Sequence, residues 1–253
     1  MPAEKKIYFL SDSHLGVPDA SSSRFREKLM LEWFDRYGQN AKAIYLLGDI
    51  FDFWFEYRRV VPKGYVRLLG KIAGITDKGI PVHYFTGNHD MWAFGYFEEE
   101  LGVKMHRKAI YTNLGGKEFC IGHGDGLGPG DHGYKLLKAF FSCRVCQRLF
   151  SFLHPGFGMR LAMFFSRKSR MANQKKPEVF KGEEQESLVH YCRDVLRERK
   201  VDYFVFGHRH LPLNIEVAPG VHYVNTGDWV NHFTFAEFDG DKIELKAFKP
   251  DAG

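Results

Sequence analysis

Five short clusters of cation-binding side chains recur along the 253-residue chain: Asp12-Ser13-His14, Gly48-Asp49 with Asp52, Gly87-Asn88-His89-Asp90, Gly122-His123-Gly124-Asp125, and Gly207-His208-Arg209-His210. Each falls where an apolar run expected to form a strand passes into a loop. Together they supply carboxylates, imidazoles and one amide, the donor mix that holds two first-row divalent cations. Two such ions lower the pKa of a shared water and clamp the attacking and leaving oxygens of an in-line displacement. The chemistry implied is that of a two-metal phosphoesterase. The glycines let loop backbone turn sharply beside a crowded ion pair.

The spacing assigns the donors. Asp12 and His14 stand two apart on a loop and face one ion, which His210 also reaches. Asp49 can bridge two cations, because a carboxylate has two oxygens. Asn88 offers a carbonyl oxygen to the second ion, and His123 and His208 offer imidazole nitrogens. Asp90 and Asp125 read as supporting or loop-capping residues. His83, His106, His154, His190, His222 and His232 stand outside the clusters and read as non-ligands. The stretch Asn225-Thr226-Gly227-Asp228-Trp229 either supports His210 or makes a turn. Cys143 and Cys146 are spaced like half a zinc site, but no second pair lies nearby, so they read as packing cysteines.

Positioning these residues requires a parallel sheet. Residues 5–10, 43–47 and 81–86 read as buried strands, separated by a helix carrying Phe25, Leu29, Trp33, Phe34 and Tyr37 and by a second helix over 65–78 that stops at Gly79. This β-α-β-α-β order brings ligands to the carboxyl ends of the strands. Residues 109–114 and 117–122 flank Gly115-Gly116, a hairpin signal. A helix over 183–199 precedes a strand at 203–206, and short strands follow at 214–218, 221–225, 232–238 and 242–248. The expected architecture is two sheets packed face to face with helices outside.

Between the fourth and fifth clusters the character changes. From His132 to Pro177 there is no acidic residue, while ten Lys and Arg give a formal +10 against +5 for the whole chain. Phe140, Phe141, Phe150, Phe152, Phe157, Phe164 and Phe165 are interleaved, and breaks near His154-Pro155-Gly156 divide the segment into two or three helices. Aromatic residues make up 16% of the chain, an excess that points to a deep core, a greasy ligand site, or both. Only four apolar residues follow Lys5-Lys6 before Ser11, too few for a secretion signal, and no run of about 18 apolar residues exists to span a bilayer. Four cysteines form no disulfide framework. A cytoplasmic location is the expectation.

The constellation resembles the calcineurin-like metallophosphoesterase superfamily over nearly the whole chain. The resemblance implies an α/β fold, a four-layer α/β/β/α sandwich, with a core of residues 1–125 and 183–253 and an inserted helical cap of residues 126–182. It implies two metal ions, manganese first with iron or zinc as alternatives. One is held by Asp12, His14, Asp49 and His210, the other by Asp49, Asn88, His123 and His208. His89 matches the histidine that acts at the scissile phosphate, and Asp52 the carboxylate that orients it.

Within the superfamily the chain is most similar to the UDP-2,3-diacylglucosamine pyrophosphohydrolases of lipid A biosynthesis. The likeness lies in Gly48-Asp49-Ile50-Phe51-Asp52-Phe53-Trp54, in His123-Gly124-Asp125 through Asp131-His132-Gly133-Tyr134, and in Arg170-Met171-Ala172-Asn173-Gln174-Lys175. It implies substrate contacts at Asp131, Tyr134, Arg170, Asn173, Gln174 and Lys181, an acylated UDP-sugar substrate cleaved to UMP and the sugar 1-phosphate, and peripheral attachment to the anionic inner membrane. The chain departs from those enzymes by carrying His89 and Asp52 where they have arginine and glutamate, so another nucleotide, phosphodiester or phosphoprotein substrate stays open. A basic cap also suits nucleic acid by counterion release, but its aromatics fall at helical spacing and not as stacking platforms, which argues against it. Clustered carboxylates are costly without chemistry to perform, which argues against a non-catalytic adaptor. Oligomeric state has no signature in the sequence.

Overall fold

The computed structural model describes residues 5–130, 132–173 and 179–250. Strands β1 (Ile7–Leu10), β2 (Ala43–Leu46) and β3 (Val82–Phe85) are short, mostly apolar and almost wholly buried, as parallel strands covered on both faces must be. They pair in parallel with Ile7 opposite Ala43 and Ile44 opposite Val82. The crossovers are helices α1 (Ala20–Arg36) and α2 (Val66–Thr76). Asp19 caps α1 by accepting from the Ser22 amide at 2.8 Å. Gly79 follows α2 with φ of 77°, the left-handed stop expected from the sequence.

A third repeat was not expected. Helix α3 (Tyr96–Leu101) leads to β4 (Lys104–His106), which extends the sheet parallel to β3. A six-residue helix and three partly polar strand residues carry too little periodicity to be read.

The second sheet opens with the expected hairpin, β5 (Ile110–Leu114) and β6 (Lys117–Ile121), whose turn glycines Gly115 and Gly116 both have positive φ. Helix α7 (Ser187–Leu196) leads into β7 (Tyr203–Phe206). It is shorter than the expected 183–199 span. Glu186 takes an extended conformation, and its buried carboxylate binds Arg209, so 183–185 form only a 3-10 turn. β8 (Pro212–Ala218) and β9 (Val221–Thr226) complete this sheet, in the order β5-β6-β7-β9-β8. The chain then returns to the first sheet with β10 (Thr234–Phe238) and β11 (Ile243–Ala247), giving β11-β10-β1-β2-β3-β4.

Strand alternation divides the core into layers. Ile7, Phe9, Tyr45 and Phe85 meet Phe119, Ile121, Val205 and Val224 between the sheets. Tyr8, Leu10, Ile44 and Tyr84 turn outward onto Leu29, Trp33, Leu68 and Phe97 of α1 to α3. Phe204, Phe206 and Tyr223 turn the other way onto Leu188, Val189 and Cys192 of α7. The result is the four-layer α/β/β/α arrangement. Phe25 departs from the expected apolar face of α1, being 56% exposed.

Among its described residues the basic segment contains three helices, α4 (His132–Ser142), α5 (Arg144–Ser151) and α6 (Pro155–Asn173). Phe150 of α5 packs against Phe55 and Trp92 with ring centroids at 4.7 and 4.8 Å, and Trp92 Nε1 donates to the Phe141 carbonyl at 2.7 Å. These contacts seat the helices against the loops after β2 and β3. Among the described residues no helix is long and apolar enough to cross a membrane.

Candidate metal centre

The five clusters converge. Asp12 and His14 follow β1, Asp49 follows β2 and Asn88 follows β3, all from the first sheet, while His123 follows β6 and His208 and His210 follow β7 in the second. The parallel strands of both sheets point their carboxyl ends at one place. His14 Nε2 lies 3.6 Å from Asp12 Oδ1 and 3.2 Å from His210 Nε2, and His210 Nε2 lies 3.4 Å from Asp12 Oδ1. On the other side His123 Nε2 is 3.4 Å from Asp49 Oδ2 and 3.3 Å from Asn88 Oδ1, which is 3.1 Å from His208 Nδ1. Asp12 with His14 and His210, His14 with Asp49 and His89, and Asp12 with Asp49 and His123 each place one donor atom apiece within 4.8 Å of the others.

This arrangement fits a pair of cations. Asp12 Oδ1 is buried and accepts no hydrogen bond among the described residues, yet two imidazole nitrogens face it. Asp49 stands between the two groups, as a bridge must. The far nitrogens of two rings are held, which turns the near ones inward: His123 Nδ1 donates to the Leu47 carbonyl at 2.7 Å and His210 Nδ1 lies 3.2 Å from Asp228 Oδ2. His14 Nδ1 faces Asp52 Oδ1 at 3.5 Å, beyond hydrogen-bond contact.

The backbone is bent to serve this convergence. Seven non-glycine residues among those described have positive φ, and five of them are Asp12, His14, Asp49, His208 and His210. Such conformations persist only where surrounding structure over-determines them, and they gather at functional sites. Gly48, at φ of 96°, admits no side chain: a Cβ there would sit 2.6 Å from the Gly87 amide nitrogen and 2.8 Å from His123 Nδ1. Arg26 of α1 is buried and donates to the carbonyls of Ser13, His14 and Val17, fixing the first loop from behind.

Burial alone would raise the Asp12 and Asp49 carboxyls, but the imidazoles of His210 and His14 around the first, and of His123 and His89 around the second, hold both well below the usual range. Burial opposes charge on His123 too, yet Asp49 carries it up to about 10. Burial and the neighbouring His123 push His208 down to about 4. Asp90 is raised to about 6 by burial and by Asp49. It bonds the Gly87 and Ile50 amides and the Tyr84 hydroxyl, so it is a loop brace, as expected.

His89 lies beside the cluster, its ring T-shaped to His14 at 4.8 Å. Its Nδ1 faces the main-chain carbonyl of Asp52 at 2.9 Å, and because a carbonyl only accepts, this nitrogen carries the proton. The Asp52 carboxylate is nearly buried, with Oδ1 3.5 Å from His89 Nδ1 and Oδ2 accepting from Ser166 of α6 at 2.5 Å.

The expected substrate contacts are distributed differently. Tyr134 bonds Asp125 through its hydroxyl at 2.6 Å, with its ring 6.1 Å from that of His208. Lys181 is exposed just before the 3-10 turn, Arg170 and Asn173 fall in the last turn of α6, and Asp131 and Gln174 lie outside the described residues. Cys143 and Cys146 are half-buried at the start of α5 and not packed in a core. Asp228 and Asn225 do support the last cluster, Asn225 by donating to the Gly207 carbonyl. Sequence reasoning passed over Arg26 and Ser166. An arginine or serine within a helix reads as a solvent-facing residue, and nothing local marks it otherwise.

A protein of Porphyromonas gingivalis named UDP-2,3-diacylglucosamine hydrolase is 34% identical, covering 96% of this chain and 98% of its own. One of the same name from Yersinia enterocolitica is 26% identical, covering 95% and 98%. Among solved structures, the Escherichia coli phosphoesterase Yfce aligns with a TM-score of 0.47 and 17% identity, covering 96% of this chain and 92% of that one. The calcineurin-like phosphoesterase profile matches residues 5–212, a stretch that begins before Asp12 and ends beyond His210. By that match and by its likeness to the Porphyromonas protein, the chain belongs to the calcineurin-like phosphoesterase family.

Proposed function

We propose that the protein hydrolyses the diphosphate of UDP-2,3-diacylglucosamine, releasing UMP and 2,3-diacylglucosamine 1-phosphate. The observation that carries the reading is the near end-to-end likeness to the Porphyromonas gingivalis hydrolase of that substrate. Family and donor set make the protein a metal-dependent hydrolase. In this reading residues 1–125 and 183–253 form the catalytic core, and residues 126–182 form a cap over it.

Asp12, His14, Asp49 and His210 would hold one divalent cation, and Asp49, Asn88, His123 and His208 the other. Carboxylate and amide oxygens beside imidazoles suit manganese, with iron and zinc as the alternatives that elemental analysis separates. Such cations supply Lewis acidity at the phosphoryl oxygens and a water acidic enough to attack near neutral pH. His89 has its Nδ1 proton committed to the Asp52 carbonyl, so Nε2 is the nitrogen that meets the charge developing on the phosphate.

The cap supplies the chemistry of the substrate's other end. Asp131, Tyr134, Arg170, Asn173, Gln174 and Lys181 are assigned to its sugar and phosphates. Leu136, Leu149, Phe152, Phe157, Phe164 and Phe165 are each more than half exposed on helices rich in Lys and Arg. Apolar side chains among cations suit both acyl chains and the anionic cytoplasmic face of the inner membrane, to which the protein binds peripherally.

Incubating the manganese-loaded protein with UDP-2,3-diacylglucosamine should release UMP and the lipid 1-phosphate in equal amounts. His89 and Asp52, where the pathway enzymes have arginine and glutamate, favour a second reading in which another phosphodiester is the substrate. Absence of UMP together with turnover of simple diesters would establish that one instead.

A further inference from the structure

We propose that Ser166 is a positioning residue that couples the seating of α6 to the orientation of His89, acting through the carboxylate of Asp52. The proposal rests on the hydrolase reading above for the role of His89.

The geometry places one hydroxyl of the helical segment on one carboxylate of the site. Ser166 Oγ donates to Asp52 Oδ2 at 2.5 Å, and the other oxygen, Oδ1, is left 3.5 Å from both His14 Nδ1 and His89 Nδ1. A hydrogen bond to a charged oxygen sheltered from water is among the stronger kinds, and fixing one oxygen fixes the plane of the group. Asp52 therefore presents Oδ1 to the two histidines in an orientation set partly from α6.

A second contact shows that α6 is packed close to this loop and does not merely touch it at one flexible side chain. At Gly158, two turns earlier on the same helix, a Cβ would collide with the Tyr57 hydroxyl and lie 3.2 Å from the Phe150 ring. Phe150 itself packs against Phe53 and Phe55, the residues that follow Asp52. A displacement of α6 by an ångström or so would break the Ser166 bond. Arg170 follows Ser166 by four residues along α6. The element assigned to substrate binding thus carries the hydroxyl that sets Asp52.

The test compares Ser166→Ala with Ser166→Thr, which keeps the hydroxyl. The substrates are two thymidine 5′-aryl phosphodiesters, one leaving as p-nitrophenolate and one as the more basic phenolate. Ser166→Ala should lower kcat on the phenyl ester by about tenfold with KM unchanged, as losses in supporting residues commonly do, because that leaving oxygen needs His89. The p-nitrophenyl ester should lose less than about twofold, since its leaving group needs no such help. Ser166→Thr should restore the phenyl rate. In zinc-loaded protein with ring-labelled histidine, the His89 nitrogen resonances should move in Ser166→Ala and return in Ser166→Thr, independently of turnover. Ser166→Cys replaces the alanine variant should that one not fold.

Equal losses on both esters, no loss on either, unmoved His89 resonances, or loss of bound cations from the variant would each overturn the proposal. Release of UMP from the acylated UDP-sugar by the unmodified protein tests the substrate reading separately, and its failure would leave the aryl-ester comparison intact.

Discussion

His89 is held by the main chain of Asp52 more closely than by its side chain: Nδ1 donates to the Asp52 carbonyl at 2.9 Å, while carboxylate Oδ1 lies at 3.5 Å. The carbonyl survives any substitution at position 52. His89→Ala should therefore lower kcat by about 10²- to 10⁴-fold, the usual scale for a lost acid–base group. Asp52→Asn should cost only about tenfold. Both should retain their cations by elemental analysis. Equal losses in the two variants would show that the carboxylate holds the ring without help from the carbonyl.

Asp228 supports the ring of His210 from the side away from the cluster, at 3.2 Å from Nδ1. Asp228→Asn keeps the shape and removes the charge. Affinity for the cation that His210 would hold should fall by about ten- to a hundredfold, read by calorimetric titration of chelator-treated protein. Unchanged affinity at both sites would remove Asp228 from the support of the centre.

His83 and His106, facing each other across β3 and β4 at 2.9 Å, give a pH dependence remote from the site. Burial first, then His106 and Lys104, push His83 down to about 4 from the ordinary 6.5, and burial with Lys104 lowers His106 against the pull of Glu98. The folded pair stays neutral while the unfolded chain takes up protons below about 6.5, so folding holds fewer protons. Its stability contribution is present in full above that pH and drains away as pH falls toward 4. The melting temperature should drop over this interval, and His83→Gln should flatten the drop. A variant with an unaltered profile would assign the slope to carboxylates elsewhere.

Leu149 and Phe152 are 63% and 77% exposed within the basic helical segment. Changing both to serine should weaken binding to vesicles containing phosphatidylglycerol by at least about tenfold, since each apolar side chain buried contributes roughly 1.5–3 kcal/mol. Turnover of a water-soluble phosphodiester should be unchanged. Vesicle binding that survives the double change would place the membrane contact elsewhere.

What the sequence made legible follows from physics that leaves a local trace. Buried parallel strands need unbroken apolar runs, and Ile7–Leu10, Ala43–Leu46 and Val82–Phe85 carry nearly that; the donors stand at their ends because loops there are free to turn. Main-chain roles leave no such trace. No residue type announces that the Asp52 carbonyl orients His89, that Arg26 will bond three carbonyls, or that Ser166 will reach across from another helix. β4 escaped notice because three residues, Lys104–His106, cannot establish a period. The pairing of His83 with His106 depends on a register fixed only when β4 docks.

The centre is sewn from both sheets: Asp12, His14, Asp49 and Asn88 leave one, and His123, His208 and His210 leave the other. During synthesis the ribosome therefore releases four donors long before the last two, and a nascent chain through Asn88 displays an acidic half-nest that cannot grip its ions firmly. Were these residues to hold the ions, cation uptake would wait for the second sheet to dock on the first, which is itself completed only when β10 and β11 join it. Under that assignment, retention of tightly bound metal would report whether a given molecule has finished folding.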